Sequence, residues 1–107
     1  SARLVVLSTC RSGGGRVLSG EGVQGLASAF VVAGVPAVVA SLWPVDDAAT
    51  AILITSFYRN LRATDPQGRP KMDAAEALRQ AQLAVRADPQ FAHPYYWGAW
   101  VLVGDPR

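Results

Sequence analysis

Four uninterrupted apolar positions, Leu4-Val5-Val6-Leu7, stand near the start of the chain. They lack the period-2 alternation of a half-exposed strand, so residues 3–8 are predicted as a strand covered on both faces, as in parallel sheets. Val23, Leu26, Ala27, Phe30 and Val31 then recur at helical spacing. They predict a helix over roughly 22–33, opened by Ser19-Gly20-Glu21-Gly22 and ended by Gly34-Val35-Pro36. Residues 37–43 form a second buried strand, apolar on both faces until Ser41. Asp46 is a good N-cap for a helix over 47–63, whose broad apolar face comprises Ile52, Leu53, Ile54, Phe57, Tyr58 and Leu61. Asp73, with Glu76 three residues later, imitates a capping box for a third helix that Asp88-Pro89 stops after about Ala87. Residues 97–103 are the last predicted strand, closed by Gly104-Asp105-Pro106. On such a strand Trp97 and Trp100 would face opposite sides, with Tyr95 and Tyr96 before them packing on the two long helices. The stretch 64–71 has the turn chemistry of a loop, not of a domain boundary.

The element order β-α-β-α-α-β defines an α/β class, a three-layer α/β/α unit with strands in chain order. The first two strands should be parallel and the last should lie on an edge, where its two intervening helices leave it free to run antiparallel. The strand at 3–8 reads as central, yet nothing else in the chain can pair with its outer edge. A row of unpaired backbone groups predicts an oligomer or a partner that supplies the missing strand.

Composition narrows the class. The 107 residues allow one domain over 1–107, half of them hydrophobic, with a net charge of +2. The basic residues form no run, so nothing points to nucleic acid. No apolar stretch approaches the ~20 residues needed to span a bilayer, and the amino terminus has no signal-peptide pattern. A single cysteine excludes an internal disulfide framework and suits a reducing, cytoplasmic setting. No metal and no cofactor is implied.

The candidate chemistry lies where the first strand ends. Cys10 follows that strand, and Arg11-Ser12-Gly13-Gly14-Gly15 follows Cys10. In open α/β sheets ligands and reacting groups gather at the carboxyl ends of strands, on loops held by the rigid sheet. A thiol there is accessible as a nucleophile; the other reading is a small buried hydrophobe. A phosphate loop at Ser12-Gly13-Gly14-Gly15 is disfavoured, because neither the Gly-Lys-Ser/Thr ending nor GxGxxG spacing is present.

Five ordered motifs carry a resemblance: residues 7–15, then Gly20-Glu21-Gly22-Val23-Gln24-Gly25-Leu26, Ser41-Leu42-Trp43-Pro44-Val45-Asp46-Asp47, Ala74-Ala75-Glu76-Ala77-Leu78-Arg79 and His93-Pro94-Tyr95-Tyr96-Trp97. Together they resemble the C-terminal half of a CHAT domain, the caspase-like domain often attached to tetratricopeptide repeats. The family usually has Ala at the position of Thr9 and Thr at that of Ser12. The resemblance implies a caspase-like fold and a cysteine endopeptidase of the caspase and separase type with a Cys-His dyad, acting on a peptide or protein substrate. Cys10 would be the nucleophile, with Gly13 and Gly14 giving the oxyanion loop its freedom. The family's catalytic histidine belongs to the preceding half of the domain, which would be a partner of these residues, as would tetratricopeptide repeats. His93 reads as a structural turn histidine bonded to backbone.

In separases a motif similar to residues 42–47 carries an acidic residue into the S1 pocket, where it receives a P1 arginine. Asp47 is its counterpart, Asp46 the N-cap, and Trp43 a candidate wall of the cleft. The favoured reading of both aspartates is that they are first-turn carboxylates placed against the helix dipole. The alternative function is a CHAT-like interaction or regulatory module in which catalysis has lapsed.

Overall fold

The computed structural model describes residues 4–7, 28–29, 31–34 and 37–104. These fall into two compact units, one drawn from residues 1–45 and 99–107 and the other from 46–98.

The first unit holds a three-stranded sheet, β1 (Leu4–Leu7), β2 (Ala37–Ser41) and β3 (Trp100–Gly104), in the order β1-β2-β3. β1 and β2 are parallel, from Leu4 opposite Ala37 to Leu7 opposite Ala40. β2 and β3 are antiparallel, from Ala37 opposite Gly104 to Ser41 opposite Trp100. Chain-order strands, a parallel first pair and an antiparallel edge strand are thus the arrangement the pattern predicted. β2 is buried along its whole length, which is why its five residues carry no alternation. It ends at Ser41 and not at Trp43 because its neighbour begins only at Trp100. One further bond, Leu42 N–H to the Ala99 carbonyl at 2.8 Å, closes the ladder. The predicted helix over 22–33 lies outside the described residues except at 28–29 and 31–33; 28–29 and 31–32 are helical, and a turn at 33–34 ends them at Gly34 with φ of 104°. That left-handed conformation favours glycine and fits a helix stop.

The second unit is helical. α1 (Asp47–Arg62) and α2 (Ala74–Ala87) pack against each other. Ala49, Leu53, Ser56 and Phe57 are the buried residues of α1; Ala74, Ala77, Leu78, Ala81 and Val85 are those of α2. The Asn60 amide donates to the Ala77 carbonyl at 3.0 Å and ties the two helices together. Between them residues 64–70 form a tight hairpin: Gly68 N–H bonds the Asp65 carbonyl, and the Asp65 carboxylate accepts from Gln67 and Arg69 N–H at 2.9 Å each. Gly68, at φ of 81°, supplies the left-handed residue such a turn needs.

Asp73 caps α2 by accepting from Glu76 N–H at 2.9 Å. Only this half of the predicted capping box forms. The Glu76 carboxylate turns away and takes a two-pronged pair from Arg79, at 3.0 and 2.9 Å, and a bond from Gln80 at 2.7 Å. Charged and amide donors on successive positions outcompete a single backbone N–H. The Arg79 hydrogen bonds, then the Gln80 amide, hold the Glu76 carboxyl at about 2, well below its ordinary 4.5. A carboxyl depressed by folding stabilises the native state above its unfolded value and loses that contribution as pH falls toward the folded one. Thermal melts of the native protein and Glu76→Gln should therefore have different pH slopes between about pH 4.5 and 2, and parallel ones above pH 5. Because the pair is solvent-exposed, the difference should be small. Coincident slopes throughout would refute it.

The largest departure from the predicted pattern is at residues 88–99. Asp88 ends α2 and caps a short 3₁₀ turn, Pro89–Phe91; one helical turn, α3 (Pro94–Trp97), follows. Trp97 therefore belongs to a helix, and its expected strand relation to Trp100 does not hold. The cause is local: Pro94 takes the first helical position, where no N–H is needed. His93 Nδ1 accepts from Tyr95 N–H at 3.1 Å, the backbone-bonded turn role predicted for it. Gly98 ends the turn with its N–H 2.7 Å from the Pro94 carbonyl; a Cβ at 98 would stand 2.9 Å from that same oxygen, so glycine is required. The aromatic group does pack on a long helix, with Gln82 bonding the Trp97 carbonyl at 2.8 Å and the Arg86 guanidinium 5.7 Å over the Trp97 ring.

Candidate functional site

Parallel pairing of β1 with β2 gives both strands one carboxyl edge, at Leu7 and at Ser41. The chain leaves that edge twice: from Leu7 toward Ser8-Thr9-Cys10, and from Ser41 toward Leu42-Trp43-Pro44-Val45. Cys10, Gly13 and Gly14 lie outside the described residues. Trp43 is half-buried just past β2.

Asp46 and Asp47 open α1 with separate tasks. The Asp46 carboxylate accepts from Ala48 N–H at 2.8 Å and Ala49 N–H at 3.1 Å, so it is the helix cap. Asp47, one residue on, is exposed. Among the described residues its carboxylate has no hydrogen-bond or ion-pair partner. Its charge is favoured by the helix N-terminus, and its oxygens are open to a cation. The division of labour anticipated for the Asp46-Asp47 pair is therefore present as far as capping goes. His93 caps α3 through Nδ1, which accepts from Tyr95 N–H, the structural turn role expected of it. Sequence reasoning missed that Arg59 is a second charged group without a carboxylate partner: its guanidinium meets only Ser56 Oγ, at 3.3 Å, among the described residues. The signal was present in the uncharged run of residues 48–58 that separates it from Asp47. No described helix is long and apolar enough to cross a membrane.

A mixed strand and helix chain with a parallel pair at its candidate edge is the class these features define. Residues 1–105 match the CHAT domain family, and the chain belongs to that family. It is similar to tetratricopeptide repeat protein 28 of mouse, 34% identical over 105 residues, and to the human protein of the same name, 34% identical over 103. These alignments take in 98% and 96% of this chain but 4% of each relative. No solved structure matches it.

Proposed function

We propose that these residues are the C-terminal part of a three-layer, caspase-like cysteine endopeptidase domain, with Cys10 as nucleophile. The observation that carries the reading is the parallel register ending at Leu7 and Ala40, because a strand's carboxyl edge is where a fold of this class keeps its chemistry. Cys10 follows that edge by three residues. A free thiol near pKa 8.5 is only slightly ionised at neutral pH, so an imidazole from the preceding half of the domain takes the proton. The thiolate then attacks the peptide carbonyl. Backbone N–H groups of Cys10 and of the loop through Gly13 and Gly14 receive the oxyanion. The C–N bond breaks, the imidazolium protonates the leaving amine, and water hydrolyses the thioester to return the thiol. Asp47 supplies the carboxylate for a basic P1 side chain, and Trp43 walls the cleft.

The outer edge of β1 takes the missing strand from the preceding half of the domain. The setting is a reducing one, which keeps the thiol available. A second reading, an interaction module without catalysis, is favoured by the repeat-protein relatives. The complete domain separates the two: it should cleave fluorogenic peptides with P1 Arg or Lys, and Asp47→Asn should reduce the preference over a neutral P1 by about tenfold or more. Cleavage indifferent to P1 charge would remove the Asp47 assignment alone. Absence of cleavage, with Cys10 no more reactive to iodoacetamide than a free thiol, would support the interaction module.

A further inference from the structure

We propose that α1 is a self-association surface, on which two copies of this chain pack antiparallel about a two-fold axis. Residues 48–58 contain no charged side chain, although Ala48, Ala51, Thr55 and Tyr58 are exposed. Charge stands only at the two ends of the helix, Asp47 at the start and Arg59 and Arg62 in the last turn. Asp47, Ala51, Thr55 and Arg59 are successive members of one i, i+4 row, about 18 Å long at 1.5 Å per residue. All four are exposed. Beside this row runs a shallow cavity of about 320 Å³ lined by Ala51, Ile52, Thr55, Ser56 and Arg59. A depression between two i±4 rows is the groove into which the ridge of another helix fits.

The order of residues along the row selects its occupant. Turned antiparallel, a second α1 sets Asp47 against the partner's Arg59 and Ala51 against the partner's Thr55. A two-fold axis makes each pair twice. Both charged groups lack an ion-pair partner within their own chain among the described residues, so the pairing displaces no existing bridge. Ala51 and Thr55 at the centre are small enough for the axes to approach closely. A parallel arrangement would set like charges side by side, which an interface disfavours. One helix face buries less than a standard interface of ~800 Å² per partner, so the association should be weak and salt-sensitive. Asp47 held in this way is withdrawn from a P1 cation, so dimer and substrate compete for one carboxylate. The surface itself does not depend on whether the domain cleaves.

Charge reversal tests the pairing on the 107-residue protein, by sedimentation equilibrium up to high concentration with circular dichroism to confirm the helices. The native chain should dimerise, more weakly as salt rises. Asp47→Arg alone and Arg59→Asp alone should each raise the dissociation constant about tenfold or more. The double variant should restore it, and an equimolar mixture of the two single variants should form heterodimers. A native chain that stays monomeric overturns the proposal. So does association that neither single reversal weakens, which would place the contact elsewhere, such as at the open edge of β1.

Discussion

With the preceding half of the domain supplied, Cys10→Ala should abolish the proposed peptide cleavage while the fold persists. The expected loss is to background, because a covalent mechanism without its nucleophile retains only the catalysis of binding and oxyanion stabilisation. These 107 residues hold one cysteine, so no second thiol within them can take over. Alanine removes only the Sγ atom, so a large packing penalty is not expected. The control is Cys10→Ser, which keeps size and hydrogen bonding but offers a far weaker nucleophile. It should be as inactive as alanine. In parallel, iodoacetamide should label the complete domain faster than the 107-residue chain if the preceding half supplies the proposed imidazole that stabilises the thiolate. Cleavage that survives Cys10→Ala would end the cysteine-peptidase reading, while equal inactivity in the native domain would favour the interaction module.

Legibility in the sequence followed the range of the interaction that decides each feature. β2 and both long helices could be read because their signals are local: an unbroken apolar run for a strand buried throughout, and Asp46 and Asp73 immediately before helical periodicity. Each of these caps is made as expected, through bonds to N–H groups two or three residues away. The end of β2 was misread because it is set from a distance. A strand continues only while its neighbour does, and the neighbour starts at Trp100, nearly sixty positions on. Trp97 departs from the expected strand for a different reason. An aromatic residue at the head of an apolar run looks like strand, but Pro94 with a His93 cap starts a helical turn that takes in Trp97 and whose length Gly98 limits by its close approach to the Pro94 carbonyl. The Glu76 half of the capping box was lost to competition, since Arg79 and Gln80 offer it stronger or more numerous donors. For the candidate site, sequence could separate the capping role of Asp46 from the open carboxylate of Asp47. The spacing that puts Arg59 on the same helix row as Asp47 was there to be read, but that every member of the row is exposed appears only in the structure.

Phe57→Ala should cost about 3–5 kcal/mol, the range for removing a fully buried aromatic side chain and leaving a cavity. Phe57 has no accessible surface and is the largest fully buried side chain described. It sits on the face of α1 that packs on α2, in the same turn as buried Leu53 and Ser56. Its ring also meets the Tyr58 ring at 5.7 Å between centroids in a tilted arrangement, so truncation loses an aromatic contact as well as buried area. Relief by collapse is limited, because three of the five buried residues of α2, Ala74, Ala77 and Ala81 beside Leu78 and Val85, have no side-chain length with which to fill a space. Small domains rarely hold more than 5–15 kcal/mol in total, so this one change should take a large share of the stability. Urea unfolding of the native protein and Phe57→Ala would measure it, with Phe57→Leu expected to recover more than half of the loss. A loss below about 1 kcal/mol would mean that the α1 and α2 pair is not the core of its unit, since a surface-like cost is incompatible with a ring buried between two packed helices.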